Sequence, residues 1–594
     1  MITNGKLIVN EFGNGFLNII NDNQNLINIY IKKQNLNKAF HNEIVDVEYY
    51  LDENDSKYYG KVINYSLINR TFIGNIHHIY KNDIFIYVSE LTKSNLIIVK
   101  ANTFIPKNSW VVVKIIQNPN DNNNNDNKLY GEIIELLPPD VSVDFLIEKK
   151  FNLDNIELEN QVEQIILEND NTNNNNNNKH INQKHLDTFT IDPESSQDCD
   201  DAFSIEEINP DLYNIYVHIS DVANYINPNL GDSFDTIIKR GNTYYGKKTN
   251  WTMIPRKYAD NYCSILPNKE TKVVTSHFIY NKKENKINYV NWFYSIIISK
   301  NKYCYDIADL LLKKVISKNN NDNNDESLKF KIIYESSLLL KNEMNDFIIA
   351  KETKSHQMIR YWMIKTNQLM CQEIKRIYRS NPDPSGNKLF LLNEYIKFKT
   401  NDNTKTIENL DRQSIITFFN NNNNNQLLSY LIKSILPKAY YTEENEFHYG
   451  LGINDYTHWT SPIRRGADLL NHCILKGFKI EIDKYLEYIN ECEIKQDMIE
   501  RFIQEFDNTQ NININDTFNA IIIGLSQFGI IVYINNLDSK YSIHISKLSN
   551  DKLIYDKIQN TLNNESNNII RFKLFDELIV KVNKISIDNI DFLL

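Results

Sequence analysis

Four asparagine-rich runs constrain this chain more than any other feature, because none of them can enter a core. They are "NPNDNNNNDNK" (118–128), "NDNTNNNNNNK" (169–179), "KNNNDNNDE" (318–326) and "NNNNNN" (420–425). Their amide side chains bury no apolar surface, so they read as solvated loops or insertions. Drift toward AT-rich codons explains them, and they carry no functional assignment. They cut a chain of 594 residues into segments, and that length already implies several domains.

The segments differ in pattern. Residues 1–140 carry short β-branched runs, among them "GKLIVNEF", "LINIYI", "EIVDVEYYL", "DIFIYVSE" and "SWVVVKII", separated by Gly, Asn and Asp turns. That pattern predicts small β-barrels. Residues 141–185 look helical, through "VDFLIEKKF" and "IELENQVEQIIL". Between 190 and 300 strands alternate with irregular segments. The stretch 355–378 places Ile359, Trp362, Met363, Thr366, Met370, Ile374 and Ile377 on one helical face. A further helix is predicted over about 481–506, and residues 516–594 return to short strands.

Hydrophobic residues make up 41% of the chain, enough for real cores, and the formal net charge is −11. A protein that coats nucleic acid through general basicity is excluded, while a local basic channel is not. The six cysteines (Cys199, Cys263, Cys304, Cys371, Cys473, Cys492) form no CxxC pair, which argues against zinc sites and against a disulfide framework. The start "MITNGKLIVN" lacks the charged and apolar regions of a signal peptide. No apolar stretch reaches membrane-spanning length. A soluble protein in a reducing compartment is expected, in the cytoplasm first and the nucleus second, with no membrane partner.

One short segment needs a chemical explanation. "TIDPESSQDCDDAF" (190–203) gathers Asp192, Asp198, Asp200 and Asp201 ahead of a strand-like run. Like charges about 4 Å apart repel by roughly 4 kcal/mol per pair at an effective dielectric near 20. A divalent cation among them removes that penalty, and Mg²⁺ prefers a few carboxylates completed by waters and phosphates. A solvated acidic turn is the plainer alternative. An EF-hand fits poorly, because the Gly and Glu places counted from Asp198 hold Phe203 and Asn209. Adjacent strand residues face opposite sides, so Asp200 and Asp201 should play different roles unless a bulge or turn redirects one.

A second constellation is "HWTSPIRRGADLLNH" (458–472). Arg464 and Arg465 follow Pro462 at what reads as a helix start, where anions bind and an Arg fork captures phosphate. Taken alone, the segment reads first as a helix-start salt bridge to Asp468. Beside a carboxylate cluster it completes the kit for metal-assisted phosphodiester hydrolysis.

Together with "YVHISDVANYI" (216–226), "RGNTYY" (240–245) and "YCSILP" (262–267), these segments resemble, in order and spacing, the RNB catalytic domain of the RNase II, RNase R and eukaryotic exosome-type exoribonucleases. The resemblance covers most of 186–480. It implies an α+β multidomain chain: two N-terminal cold-shock-like OB β-barrels (1–68 and 69–140), a central mixed α/β RNB catalytic domain with its leading linker (141–510), and a C-terminal S1-type OB β-barrel (511–594). The endonuclease domain of the large exosome subunit and the Lys-rich tail usual in RNase R are expected to be absent.

By motif position the resemblance implies that Asp192 and Asp201 hold Mg²⁺, with Mn²⁺ as a substitute, and that Asp198 supports them. Asp200 matches the carboxylate whose loss stops chemistry but spares binding, serving a second metal or the attacking water. Arg464 matches the arginine on the scissile phosphate, and Arg465 is a neighbouring contact or the partner of an acid. Tyr245 matches a tyrosine packed on the terminal nucleotide, although in a chain with 35 tyrosines it also reads as core. Phe528 and His544 lie where S1-type domains present stacking groups. Ile531 stands where a second aromatic is frequent, and Tyr533 either compensates or is core.

The chain departs from the family at several places. Arg360 and Tyr361 replace an acidic pair on the helix leading to Asn367. Gly466 replaces an aromatic, "EFHYG" a Gly-His-Phe-Gly, and Thr271 an Arg. The implied activity is Mg²⁺-dependent 3′→5′ hydrolysis of single-stranded RNA with a free 3′ end to nucleoside 5′-monophosphates. The expected enzyme is a monomer; an exosome-like association is the alternative, though nothing in the sequence indicates it. The rival readings are a catalytically weak RNA-binding scaffold that keeps the fold, and a nuclease that cuts internally or acts on another polymer.

Overall fold

The computed structural model describes the chain apart from residues 1, 10–13, 21–25, 37–38, 40–43, 53–56, 65–70, 82, 89–95, 101–104, 107–108, 117–128, 139–140, 154–179, 318–324, 345–346, 348–351, 385, 401–411, 423–424, 550, 568 and 587–588. The predicted helix "IELENQVEQIIL" and most of the Asn runs lie outside the described residues. The chain forms two compact units, one of residues 1–153 with 502–514 and 584–590, the other of the remainder.

In the first unit, alternation of period two builds two small β-structures. Ile27, Ile29 and Ile31 point inward along Leu26–Ile31 and meet Leu17, Val45, Val47 and Val62. The bent opening strand pairs through Ile2–Lys6 with Ile44–Asp52 and through Ile8–Val9 with Gly15–Ile20. The next five strands close fully: Thr71–Tyr80, Asp83–Tyr87, Ile97–Lys100, Leu129–Leu136 and Trp110–Ile116, then back to the first. Both follow the first-second-third-fifth-fourth strand order, with one parallel pairing between third and fifth strands. These are OB-like barrels.

The second unit is built on a six-stranded sheet that returns upon itself. The 19-residue strand Lys286–Cys304 pairs with Glu270–Asn281 along its first part and, in parallel, with Thr188–Asp192 along its last. Asp201–Asn209 and Leu212–Ser220 complete the circuit. Helices Tyr305–Ser317, Asp325–Glu343 and Lys354–Ile374 cover it, sealing a core that includes Phe203, Phe278, Phe330 and Trp362. A string of neutral polar groups crosses the interior: Thr188, Ser204, His218, Thr275 and Ser295, each linked to the next at 2.6–2.9 Å. Burial lowers the His218 pKa to about 3, so the imidazole there is neutral.

Three features depart from the sequence expectation. The helix predicted to Tyr378 stops at Ile374, where Lys375 turns left-handed at φ 52°; Ile377 lies beyond it and Tyr378 opens a strand. Burial also runs nearly all round this helix, because sheet, neighbouring helices and the 456–461 segment all pack on it. The Asn run at 420–425 is partly structural: Asn421 ends one helix, and Asn425 caps the next by accepting the Leu428 N–H at 2.9 Å. The C-terminal segment forms two sheets, one containing Ser539–His544, Gly529–Ile534, Thr517–Ser526 and Glu577–Ser586 in that order, the other Leu553–Asp556, Thr561–Asn564 and Ile570–Phe572.

Candidate active site

The carboxylates owe their placement to two strands that part company. Thr188–Asp192 and Asp201–Asn209 pair only through Thr188↔Ser204 and Phe189↔Phe203. Beyond Phe189 the first strand stays with Lys302–Cys304, ending at Asp192↔Cys304, while the second stays with its other neighbour from Asp201↔Ile219. The gap holds the loop 193–200. Ser264, from "YCSILP", fixes this loop by accepting the Cys199 N–H at 2.9 Å and donating to the Gln197 carbonyl at 2.7 Å. The Asp200 carbonyl accepts the Ser220 N–H at 2.9 Å. Asp200 thus precedes the strand, and the turn brings it to the same cavity as Asp201.

That cavity, of about 1120 Å³, is lined by Asp192, Asp198, Asp200, Asp201, Tyr245, Arg464 and Arg465 together. Burial raises the pKa of Asp192 and lifts Asp200 well above the carboxylate range. Burial and the Asp192 charge push Asp201 up to about 8. One oxygen each of Asp192, Asp200 and Asp201 is buried without a hydrogen-bond partner. Unpaired buried carboxylate oxygens are costly, and three around one cavity fit a bound cation. Among the described residues no three acidic, His or Cys side chains are grouped so that they alone could hold a metal ion. A cation here would take only some of its ligands from these carboxylates and the rest from water and phosphate, as Mg²⁺ does.

Opposite them, the segment 459–465 is held by its backbone. Asn367 Oδ1 accepts the N–H groups of Trp459 and Thr460 at 2.8 and 3.2 Å, Asp468 Oδ1 accepts that of Ser461 at 2.8 Å, and Asp200 Oδ1 accepts that of Ile463 at 2.8 Å. The Arg464 side chain stays 43% exposed, with Nε 3.6 Å from Asp200 Oδ2. Arg465 is different: its guanidinium is mostly buried and bonds Asp468 Oδ1 at 2.9 Å. That is the helix-start ion pair the sequence also allows.

Tyr245 stands on the cavity wall, its hydroxyl donating to Asp198 Oδ2 at 2.8 Å. Burial raises its pKa. Phe528 and His544 are not among the cavity residues; Phe528 is 61% exposed in the turn before Gly529, and His544 lies opposite Gly529 on the neighbouring strand of the C-terminal sheet. Ile531 is exposed nearby, whereas Tyr533 is fully buried, stacked on Tyr430 at 4.6 Å, and so belongs to the core. Of the departures, Arg360 reaches the cavity while pairing with Glu352 at 2.9 Å, Tyr361 is core, and Thr271 is buried.

Sequence reasoning passed over Tyr305, which lines the cavity and stacks on His356 at 3.7 Å. Burial, then the Asp201 and Asp192 charges, raise its pKa. Lys247, Lys248 and Arg256 also line the cavity. The paired lysines one residue beyond "RGNTYY" were the available signal; Tyr305 gave none among so many tyrosines.

The family model for the RNB domain matches residues 180–481. Ribonuclease R of Aquifex aeolicus is 25% identical over 611 aligned positions, covering 94% of this chain and 84% of that protein. The fold matches a Mycoplasma genitalium RNase R solved with ribose-methylated single-stranded RNA: TM-score 0.79, 21% identity, all of both chains covered. It also matches yeast Ssd1, described as a pseudonuclease: TM-score 0.65, 15% identity, 94% of this chain and 81% of that one. The chain belongs to the RNB family of hydrolytic exoribonucleases.

Proposed function

We propose that this chain is a Mg²⁺-dependent exoribonuclease that degrades single-stranded RNA from its 3′ end, releasing nucleoside 5′-monophosphates. The observation that carries the reading is the meeting, in one cavity, of the partly exposed Arg464 guanidinium and three buried carboxylate oxygens that make no hydrogen bond. The fold alone does not decide activity, since a pseudonuclease shares it.

Asp192 and Asp201 would hold the metal, with Asp198 in support and Asp200 serving a second ion. When bound, Mg²⁺ would offset the carboxylate charges and polarise the phosphate, and a pair of ions would serve both attacking and leaving oxygens. Arg464 binds a non-bridging phosphate oxygen, and the backbone around it, fixed through Asp200 and Asp468, lowers the ordering cost of delivering the guanidinium. Arg465 acts mainly by holding Asp468. The Tyr245 ring packs against the terminal base, its hydroxyl tied to Asp198. Phe528 and His544 offer stacking contacts to RNA upstream. The enzyme works as a monomer in the cytoplasm, where its six free cysteines are stable.

The test is digestion of an oligoribonucleotide labelled on its 3′ nucleotide, by the full chain, with Mg²⁺ or EDTA. Labelled mononucleotide released in the first turnover, and lost in EDTA, is the expected result. RNA bound but left intact favours the scaffold reading, and cleavage of circular RNA overturns the exonuclease reading.

A further inference from the structure

Two segments that lead to the cavity wall converge on one acidic side chain that no motif includes. Glu493 lies on the helix Asp483–Gln510, remote in sequence from the carboxylates. Its Oε1 accepts from Asn242 Nδ2 at 2.9 Å, and its Oε2 from Arg379 Nη2 at 2.7 Å. Asn242 and Arg379 are both mostly buried, so these are shielded contacts.

Each partner leads to the cavity. Asn242 forms an isolated β-bridge with Arg465, flanked by Thr243 N–H to the Arg464 carbonyl at 3.0 Å and Gly466 N–H to the Gly241 carbonyl at 2.6 Å. The strap 241–245 ending in Tyr245 is therefore laced to the segment bearing Arg464. Arg379 lies over the Tyr441 ring at 4.3 Å, and the Tyr441 hydroxyl meets His458 Nδ1 at 2.8 Å. Burial and the nearby arginines keep His458 neutral, its pKa well below the usual value. The Arg379 N–H also donates to the Tyr456 carbonyl at 2.7 Å.

We propose that Glu493 is a positioning residue that, through Asn242, fixes the Tyr245 strap against the Arg464 segment, so that base packing and phosphate grip keep one register. It touches no substrate. Its effect is on how often the terminal phosphate meets Arg464 and the carboxylates in reactive alignment, and a shift of about 1 Å can cost a hundredfold. The inference rests on the exoribonuclease reading.

The test compares wild type, Asn242→Ala, Glu493→Ala and the double variant by single-turnover cleavage of a short oligoribonucleotide, RNA affinity in EDTA, and melting temperature. Wild-type turnover must first be seen; its absence sinks the activity reading, not this one. The expected result is a roughly tenfold or greater fall in cleavage rate for each single variant, affinity within about twofold, and a double variant no slower than the worse single one. Asn242→Ala leaves the Glu493–Arg379 pair intact, so it decides the matter even if Glu493→Ala folds poorly. An Asn242→Ala rate within twofold of wild type, or a double variant slowed by the product of the two singles, overturns the proposal.

Discussion

Asp200 has two tasks that a single substitution separates. One oxygen accepts the Ile463 N–H at 2.8 Å, and the other makes no hydrogen bond and lies 3.6 Å from Arg464 Nε. Asparagine keeps the first contact through its carbonyl oxygen and loses the negative charge. Asp200→Asn should therefore lower turnover by at least about a hundredfold while RNA affinity and melting temperature stay near wild type. A variant that digests RNA at near wild-type rate would show that this carboxylate is not in the chemistry. Asp201 gives a second expectation. Its pKa rises from the usual 3.8 to about 8, so the metal-free fold is most stable with the proton on. That stability is present below about pH 4 and is lost as pH climbs through 8. In EDTA the melting temperature should fall between pH 6 and pH 9, and the upward shift on adding Mg²⁺ should be larger at pH 9. Asp201→Asn should flatten both trends. Equal Mg²⁺ shifts at the two pH values would remove Asp201 from the metal site. That the acids and Arg464 line one cavity was legible, the acids because four carboxylates in so short a span demand an explanation and Arg464 through the resemblance. Asn367, Ser264 and Glu493 were not, because each is one ordinary polar residue whose partners lie far away in sequence.

At the level of elements, the sequence showed most strands and helices but not what positions them. The divergence after Phe189 cannot be read from "TFTID", since it comes from Lys286–Cys304 pairing with two different strands. The early end of the helix at Ile374 was also hidden, because Ile377 continues the apolar period while packing elsewhere. Gly466 is the informative exception. The family's usual aromatic is missing, and the structure supplies a reason: a Cβ there would sit 3.0 Å from the Gly241 carbonyl oxygen and 3.3 Å from its Cα. At this first helical position alanine would gain less than the about 1 kcal/mol of a helix interior, but lose about 1–3 kcal/mol to overpacking against backbone that is itself laced in place. The second effect wins. Gly466→Ala should lower stability by about 1 kcal/mol in urea unfolding and slow cleavage, through displacement of the 241–245 strap. A stabilised, fully active variant would mean that the strap yields freely.

Across the whole molecule, the β-rich ends and mixed centre follow from period-two runs flanking longer helical patterns, and those were legible. Which aromatics face out was not, because alternation alone does not say which side of a strand is covered by helices from another segment. In the C-terminal sheet the answer separates two neighbours. Tyr533 is packed under the helix Gln426–Ile435, against Tyr430, and its hydroxyl donates to Asp538 at 2.6 Å. Phe528 stands out at the turn before Gly529, whose φ of +141° and missing Cβ let the backbone of the next strand, around His544, approach closely. An exposed ring stacked on a base contributes about 1–3 kcal/mol, whereas truncating a buried aromatic costs about 3–5 kcal/mol of stability. Phe528→Ala should thus weaken binding of long RNA by about 5- to 150-fold with an unchanged melting temperature. Tyr533→Ala should do the reverse, lowering the melting temperature while the folded fraction binds normally. RNA titrations beside thermal melts distinguish the two, and a Phe528→Ala variant with wild-type affinity would take this face out of the RNA path.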